Sequence, residues 1–106
     1  MAEEVAKVED SKLRDYELVL VISPQVEDED VDAKVNELSR FVTDRGGVVS
    51  EVERWGKRKL AYPIRHFMEG SYVLARFKLR PESCKDLEAN WRVSEEILRH
   101  LLVNLS

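Results

Sequence analysis

The stretch YELVLVISPQVEDEDVDAKVNELSRFVTDRGG, Tyr16 to Gly47, changes its hydrophobic period part-way along. YELVLVI (Tyr16 to Ile22) is rich in β-branched residues, reads as a strand and stops at Ser23-Pro24. Beyond it, Val31, Val35, Leu38 and Val42 recur at i, i+4, i+7 and i+11, the apolar stripe of a helix. The acidic run Glu27 to Asp30 suits the positive end of that helix, and Gly46-Gly47 is expected to end it.

The rest of the chain extends this pattern. VVSEVERW (Val48 to Trp55) returns to strand character and can run on to Ile64. Glu69-Gly70 marks an expected turn, and SYVLARFKL (Ser71 to Leu79) follows as a third strand. Pro81 opens a second helix, at a position where its missing N–H is harmless, with Cys84, Leu87 and Trp91 as a short stripe. ILRHLLVNL (Ile97 to Leu105) is the last strand. The order β-α-β-β-α-β is that of the α+β, ferredoxin-like split βαβ unit. Two helices then lie on one face of a four-stranded antiparallel sheet of order 4-1-3-2. The second strand falls at an edge, where Pro63 is tolerated.

The 106 residues suffice for one domain, expected over 14–106. Residues 1–13 are polar and aperiodic and are expected to form a flexible acidic arm. That N-terminus resembles neither a signal peptide nor an Arg-rich transit sequence. No apolar run approaches the roughly 18 residues of a membrane span, so no membrane partner is expected. A single cysteine, Cys84, excludes an internal disulfide and fits a reducing cytosol. Charge is divided unevenly. Residues 1–53 carry 6 basic and 15 acidic side chains, net −9, and residues 54–106 carry 11 and 6, net +5. A basic surface on an acidic protein is thereby allowed.

Two helices cover one face of such a sheet, so alternation should leave the other polar. Leu18, Leu20 and Ile22 take one parity in the first strand, and Val73, Ala75, Phe77 and Leu79 in the third. Val19, Val21, Tyr72 and Leu74 then share the opposite face, and the last strand has apolar residues of both parities. No sequence follows Ser106 that is expected to cover them. Such an apolar patch suggests a protein partner, although single exposed valines are also ordinary on sheets.

Catalytic signatures are missing. His66 and His100 stand in no metal-ligand spacing, and one cysteine builds no thiolate site. No G-x-S-x-G, Walker loop or dinucleotide glycine fingerprint occurs. Neither an enzyme, a metal, a cofactor nor a small-molecule substrate is expected. The stretch RWGKRKLAYPIRH, Arg54 to His66, offers binding chemistry instead. Arg54, Lys57, Arg58 and Lys59 can neutralise phosphates, and Trp55 can stack on a base. The same cations also suit protection of an edge strand against aggregation. The RNA-recognition motif shares this topology, but YVLARFKL lacks its aromatic signature, and the exposed side reads as aliphatic with one tyrosine.

RDYELVLVISP (Arg14 to Pro24), the glycine pair, WGKRKLAYPI (Trp55 to Ile64), EGSYVL (Glu69 to Leu74) and ILRHLLV (Ile97 to Val103) together resemble the bacterial small-subunit ribosomal protein S-six family. The resemblance covers residues 14 to about 105, and the WG-(K/R)-R-x-LAYPI block, Trp55 to Ile64, is its most specific part. It implies a cytoplasmic structural protein of the small ribosomal subunit. Such a protein binds small-subunit (16S) ribosomal RNA on the platform, paired with ribosomal protein S-eighteen. Carried onto this chain, Arg14 and Tyr16 match the family's R-x-Y-E, and Lys57, Arg58 and Lys59 its cationic strand. The expected RNA contacts are Arg14, Arg54, Trp55, Lys57, Arg58 and Lys59. The expected partner-protein contacts are Val19, Val21, Leu60, Ala61, Tyr62, Pro63, Ile64, Tyr72 and Leu74. The acidic residues before Arg14 and the absence of a charged tail after the last strand depart from the family pattern. The competing expectation is a stand-alone regulatory domain that homodimerises through its open sheet face.

Overall fold

The computed structural model describes residues 13–105, so the expected N-terminal arm lies outside the described residues apart from Leu13. Its elements are β1 (Arg14–Ile22), α1 (Asp28–Asp44), β2 (Val48–Ile64), β3 (Phe67–Leu79), α2 (Pro81–Arg92) and β4 (Ile97–Asn104). The sheet order is β2-β3-β1-β4 with every neighbour antiparallel, the expected ferredoxin-like arrangement.

Local chemistry explains the corners. After β1, the Ser23 carbonyl accepts from the Val26 N–H at 3.0 Å and its hydroxyl from the Gln25 N–H at 3.2 Å. That turn swings the chain into α1. Asp28, Glu29 and Asp30 occupy the first turn of α1, next to the positive end of its dipole. Gly46 ends the helix in the left-handed region at φ 81°. At Gly47 a Cβ would stand 2.3 Å from the Lys78 carbonyl oxygen, so the link from α1 into β2 can pass this close to β3 only without a side chain.

The core follows the period-two reading. Leu18, Leu20 and Ile22 of β1 meet Val73, Ala75, Phe77 and Leu79 of β3 beneath Val31, Leu38 and Val42 of α1 and Cys84 and Leu87 of α2. Each such large side chain contributes about 1.5–3 kcal/mol on burial. Tyr16 closes the same face beside Cys84. Burial first, and then the neighbouring Cys84, pushes its phenol up to about 12. Burial likewise raises the Cys84 thiol, which removes it from reactive thiolate chemistry at neutral pH.

The hairpin between β2 and β3 departs from the expectation. The turn is not at Glu69-Gly70 but at Arg65-His66, whose φ values of 57° and 107° are both positive. Such two-residue turns match the twist of the strands they join, but they usually carry Asn or Gly. Gly70 lies inside β3, which begins at Phe67 rather than Ser71. The extra residues pair with β2 alone, as β1 reaches β3 only from Ser71 onward. They form an arm that runs past the body of the sheet.

Candidate nucleic-acid and partner interface

The arm is shaped by a bulge. Register between β2 and β3 shifts from Arg54↔Val73 to Gly56↔Tyr72, leaving Trp55 as the extra residue. Gly56 has φ 81°, the left-handed conformation that such bulges place on glycine. From Gly56 onward the shift reverses which residues share a face. Arg54 is on the helix side, where it donates to Asp32 at 2.5 Å and Asp28 at 3.3 Å on α1. Trp55 is on the other side, stacked on Tyr72 with centroids 6.2 Å apart and rings 10° from parallel. Its indole N–H donates to Glu53 Oε1 at 3.0 Å. The Arg58 guanidinium stands 5.4 Å from the indole centroid. Beyond it Arg58 lies on the Tyr72 side and Lys57 and Lys59 on the other, until a second register shift after Lys59. Leu60 and Tyr62 are on the Tyr72 side by their contacts.

The arm bends back over the sheet face that the helices leave uncovered. A Cβ on Gly70 would lie 2.5 Å from Val21 Cγ1 and 3.9 Å from Leu60 Cδ2, so Leu60 and Val21 close over the bare backbone. Tyr62 accepts a 2.7 Å hydrogen bond from Arg99 on β4, and Arg65 donates to the Glu95 carbonyl at 3.0 Å. Leu60, Ala61, Tyr62, Ile64, Val21 and Tyr72 surround a small cavity of about 90 Å³ under the arm. Pro63 falls in the interval between Lys59↔Glu69 and Ile64↔Phe67 where no pairing exists, so its missing N–H costs no ladder bond.

The uncovered face is therefore graded. At one end Arg76 spans Glu51 at 2.7 Å and Glu17 at 2.8 Å. In the middle lie Leu74 and Val19, with Leu101 beside them on β4. Val21 and Leu74 are buried by neighbours of their own chain, Val19 and Tyr72 are half-buried, and Leu101 and Val103 are exposed. The expected apolar patch exists, but the LAYPI segment already closes one end of it. It is also not aliphatic with one tyrosine. Trp55, on the same face of β2 as Glu53, joins Tyr72 there.

The remaining candidates separate. Lys57, Arg58 and Lys59 are exposed on the arm, opposite Ser71, Gly70 and Glu69. Arg14 is exposed at the far end of β1, roughly 27 Å of strand away from Ile22, and does not join them. Arg54 is held by two α1 carboxylates. His100 sits mid-strand in β4, 3.5 Å from Glu88 and packed on Trp91, and belongs to the helix side. Glu53 was not singled out by sequence. Its carboxyl is held below the usual range by hydrogen bonding with Glu51 and then with Trp55. Among the described residues no group of three or more His, Cys, Asp or Glu is placed to hold a metal ion. No helix among them is long and apolar enough to cross a membrane.

The model of the family described as Ribosomal protein S6 matches residues 15–104. The chain belongs to the ribosomal protein S6 family. It is 38% identical over 104 residues to "Small ribosomal subunit protein bS6" of Dehalococcoides mccartyi, covering 98% of this chain and 95% of the relative. The relative of the same name from Moorella thermoacetica is 40% identical over 93 residues, 88% of this chain and 95% of that one. The crystal structure of 30S ribosomal protein S6 from Thermotoga maritima superposes with a TM-score of 0.81 at 34% identity, over 88% of both chains. The S6 family is structural and not enzymatic, in keeping with a site built from an apolar face and cations.

Proposed function

We propose that the protein binds small-subunit (16S) ribosomal RNA on the platform together with ribosomal protein S-eighteen. As an S6 family member it is a cytoplasmic structural component of the small ribosomal subunit and acts in translation without catalysis. One observation carries the finer reading: a single arm joins the exposed cations Lys57, Arg58 and Lys59 to the LAYPI segment that borders the uncovered apolar face. Val19, Tyr72, Leu101 and the exposed part of the LAYPI segment offer the protein partner an apolar surface. The cations offer phosphate a charged edge a few residues away. A partner seated on the face would hold both chains against one RNA, so each contact raises the effective concentration of the other.

Filter binding of a central-domain 16S fragment tests this, with and without S-eighteen. RNA affinity should rise at least tenfold when the partner is added. Equal affinity in both arms rejects the paired mode, and no retention in either rejects RNA binding.

A further inference from the structure

The Trp55 platform carries more than stacking. Trp55 is 40% exposed although it lies on Tyr72, so part of this aromatic pair remains open to solvent. The indole N–H is already spent on Glu53 Oε1, which fixes that carboxylate at the edge of the ring. The Arg58 guanidinium lies over the indole, 5.4 Å from its centroid, while Lys57 and Lys59 are on the opposite face of the arm. Together these make an apolar plane, an anionic acceptor at one edge and one cation, Arg58, over it. A carboxylate accepts hydrogen bonds and donates none, so it favours a base edge bearing an amino group, as Glu and Asp do with cytosine N4. It also repels phosphate, which turns the base edge inward to Glu53 and the backbone outward to Arg58.

We propose that Trp55, Tyr72, Glu53 and Arg58 form a site for one unpaired nucleobase carrying an exocyclic amino group. Trp55 and Tyr72 supply the stacking surface, Glu53 selects the amino edge, and Arg58 neutralises the adjoining phosphate. Uracil, which has no amino group, is disfavoured. This inference rests on the RNA-binding reading above and adds a specificity residue to it.

The chain has two tryptophans, so Trp91→Phe leaves Trp55 as the sole indole reporter in the full-length protein. Single-stranded hexamers of cytidylate and uridylate are titrated against its emission. The cytidylate hexamer should quench Trp55 and bind more tightly than the uridylate one. Glu53→Gln keeps an acceptor for the indole but adds an amide donor, and should collapse that preference. Trp55→Leu, which removes the reporter and is read instead by anisotropy of a dye-labelled cytidylate hexamer, should lower affinity by roughly 5- to 150-fold, the range for one stacked base. Thermal unfolding of each variant confirms that it is folded. Silent Trp55 emission at saturating hexamer, or a preference unchanged in Glu53→Gln, overturns the site. So does emission that responds to S-eighteen and not to the hexamers, which would give the platform to the protein partner. The 16S fragment is bound in parallel by filter retention. Normal retention with a silent Trp55 sinks this site alone, whereas absent retention sinks the RNA-binding reading and this site with it.

Discussion

Arg99 on β4 donates a 2.7 Å hydrogen bond to the hydroxyl of Tyr62 on β2, although β3 and β1 stand between those strands in the sheet. The contact exists because the arm curls over the face, and it clamps LAYPI onto Val21 and Tyr72. Removing the hydroxyl in Tyr62→Phe leaves the ring in place and frees the arm. A net hydrogen bond contributes about 0.5–1.5 kcal/mol, and this exposed one should fall at the lower end. The expected result is a small fall in global stability with a larger local effect. Amide exchange over Leu60 to Ile64 should accelerate several-fold, and trypsin should cut sooner at Arg65. Unchanged exchange there would mean that the apolar contacts alone hold the arm.

Gly70 and Gly56 lie a few residues apart across the hairpin but resist substitution for different reasons. At Gly70 a methyl group would meet Val21 Cγ1 at 2.5 Å. Gly70→Ala is an overpacking change and should cost about 1–3 kcal/mol in chemical denaturation. At Gly56 a methyl group would meet nothing within 4 Å, but φ is +81°. Gly56→Ala should cost about 1–2 kcal/mol through left-handed strain alone. Val21→Ala removes the clashing methyls, so it should couple favourably with Gly70→Ala and be merely additive with Gly56→Ala.

Tyr16 gives the protein an alkaline limit. Its phenol titrates near 12 when folded, against about 10 in the unfolded chain. Between these values the unfolded chain loses a proton that the folded chain keeps. The stabilisation is complete below pH 10, declines as pH rises, and is lost as pH passes 12. The slope reaches about 1.4 kcal/mol per pH unit. Tyr16→Phe should remove this part of the decline. The difference between wild type and variant in urea unfolding at pH 9, 10 and 11 isolates it from other titrating groups. A difference independent of pH would contradict the assignment.

Much of this architecture is legible in the residue pattern, and the failures share a cause. Leu18, Leu20 and Ile22, with Val73, Ala75, Phe77 and Leu79, report their buried face because a regular strand alternates without interruption. The arm breaks that regularity. Arg65-His66 adopts a two-residue turn without the Asn or Gly that usually signals one, while Gly70 imitates a turn signal and serves a close approach to Val21. Gly56 within a strand pattern was the available sign of a bulge. Only the register shift, however, reveals that Arg58, rather than Lys57 and Lys59, shares the face of Trp55 and Tyr72. Arg54 reads as a fourth cation of the same cluster. Its commitment to Asp28 and Asp32 depends on α1 packing behind β2, which charge spacing along the chain does not encode.

The cations of the arm should consequently fall into two groups by salt dependence. Lys57, Arg58 and Lys59 are exposed and free to meet phosphate, whereas Arg54 is paired with α1. Each phosphate neutralised on duplex RNA-like targets contributes about 0.9 to the slope of log affinity against log salt. Joint replacement of Lys57, Arg58 and Lys59 by alanine should flatten that slope by up to about 2.7. Arg54→Ala should leave the slope unchanged and cost under about 1 kcal/mol of stability, the usual worth of exposed ion pairs. Filter binding of the 16S fragment across 50–300 mM salt (about that range spans the steep region) separates the two. A slope unchanged in the triple variant would assign these cations to protection of the β2 edge. A slope reduced by Arg54→Ala would show that RNA draws this arginine away from Asp28 and Asp32.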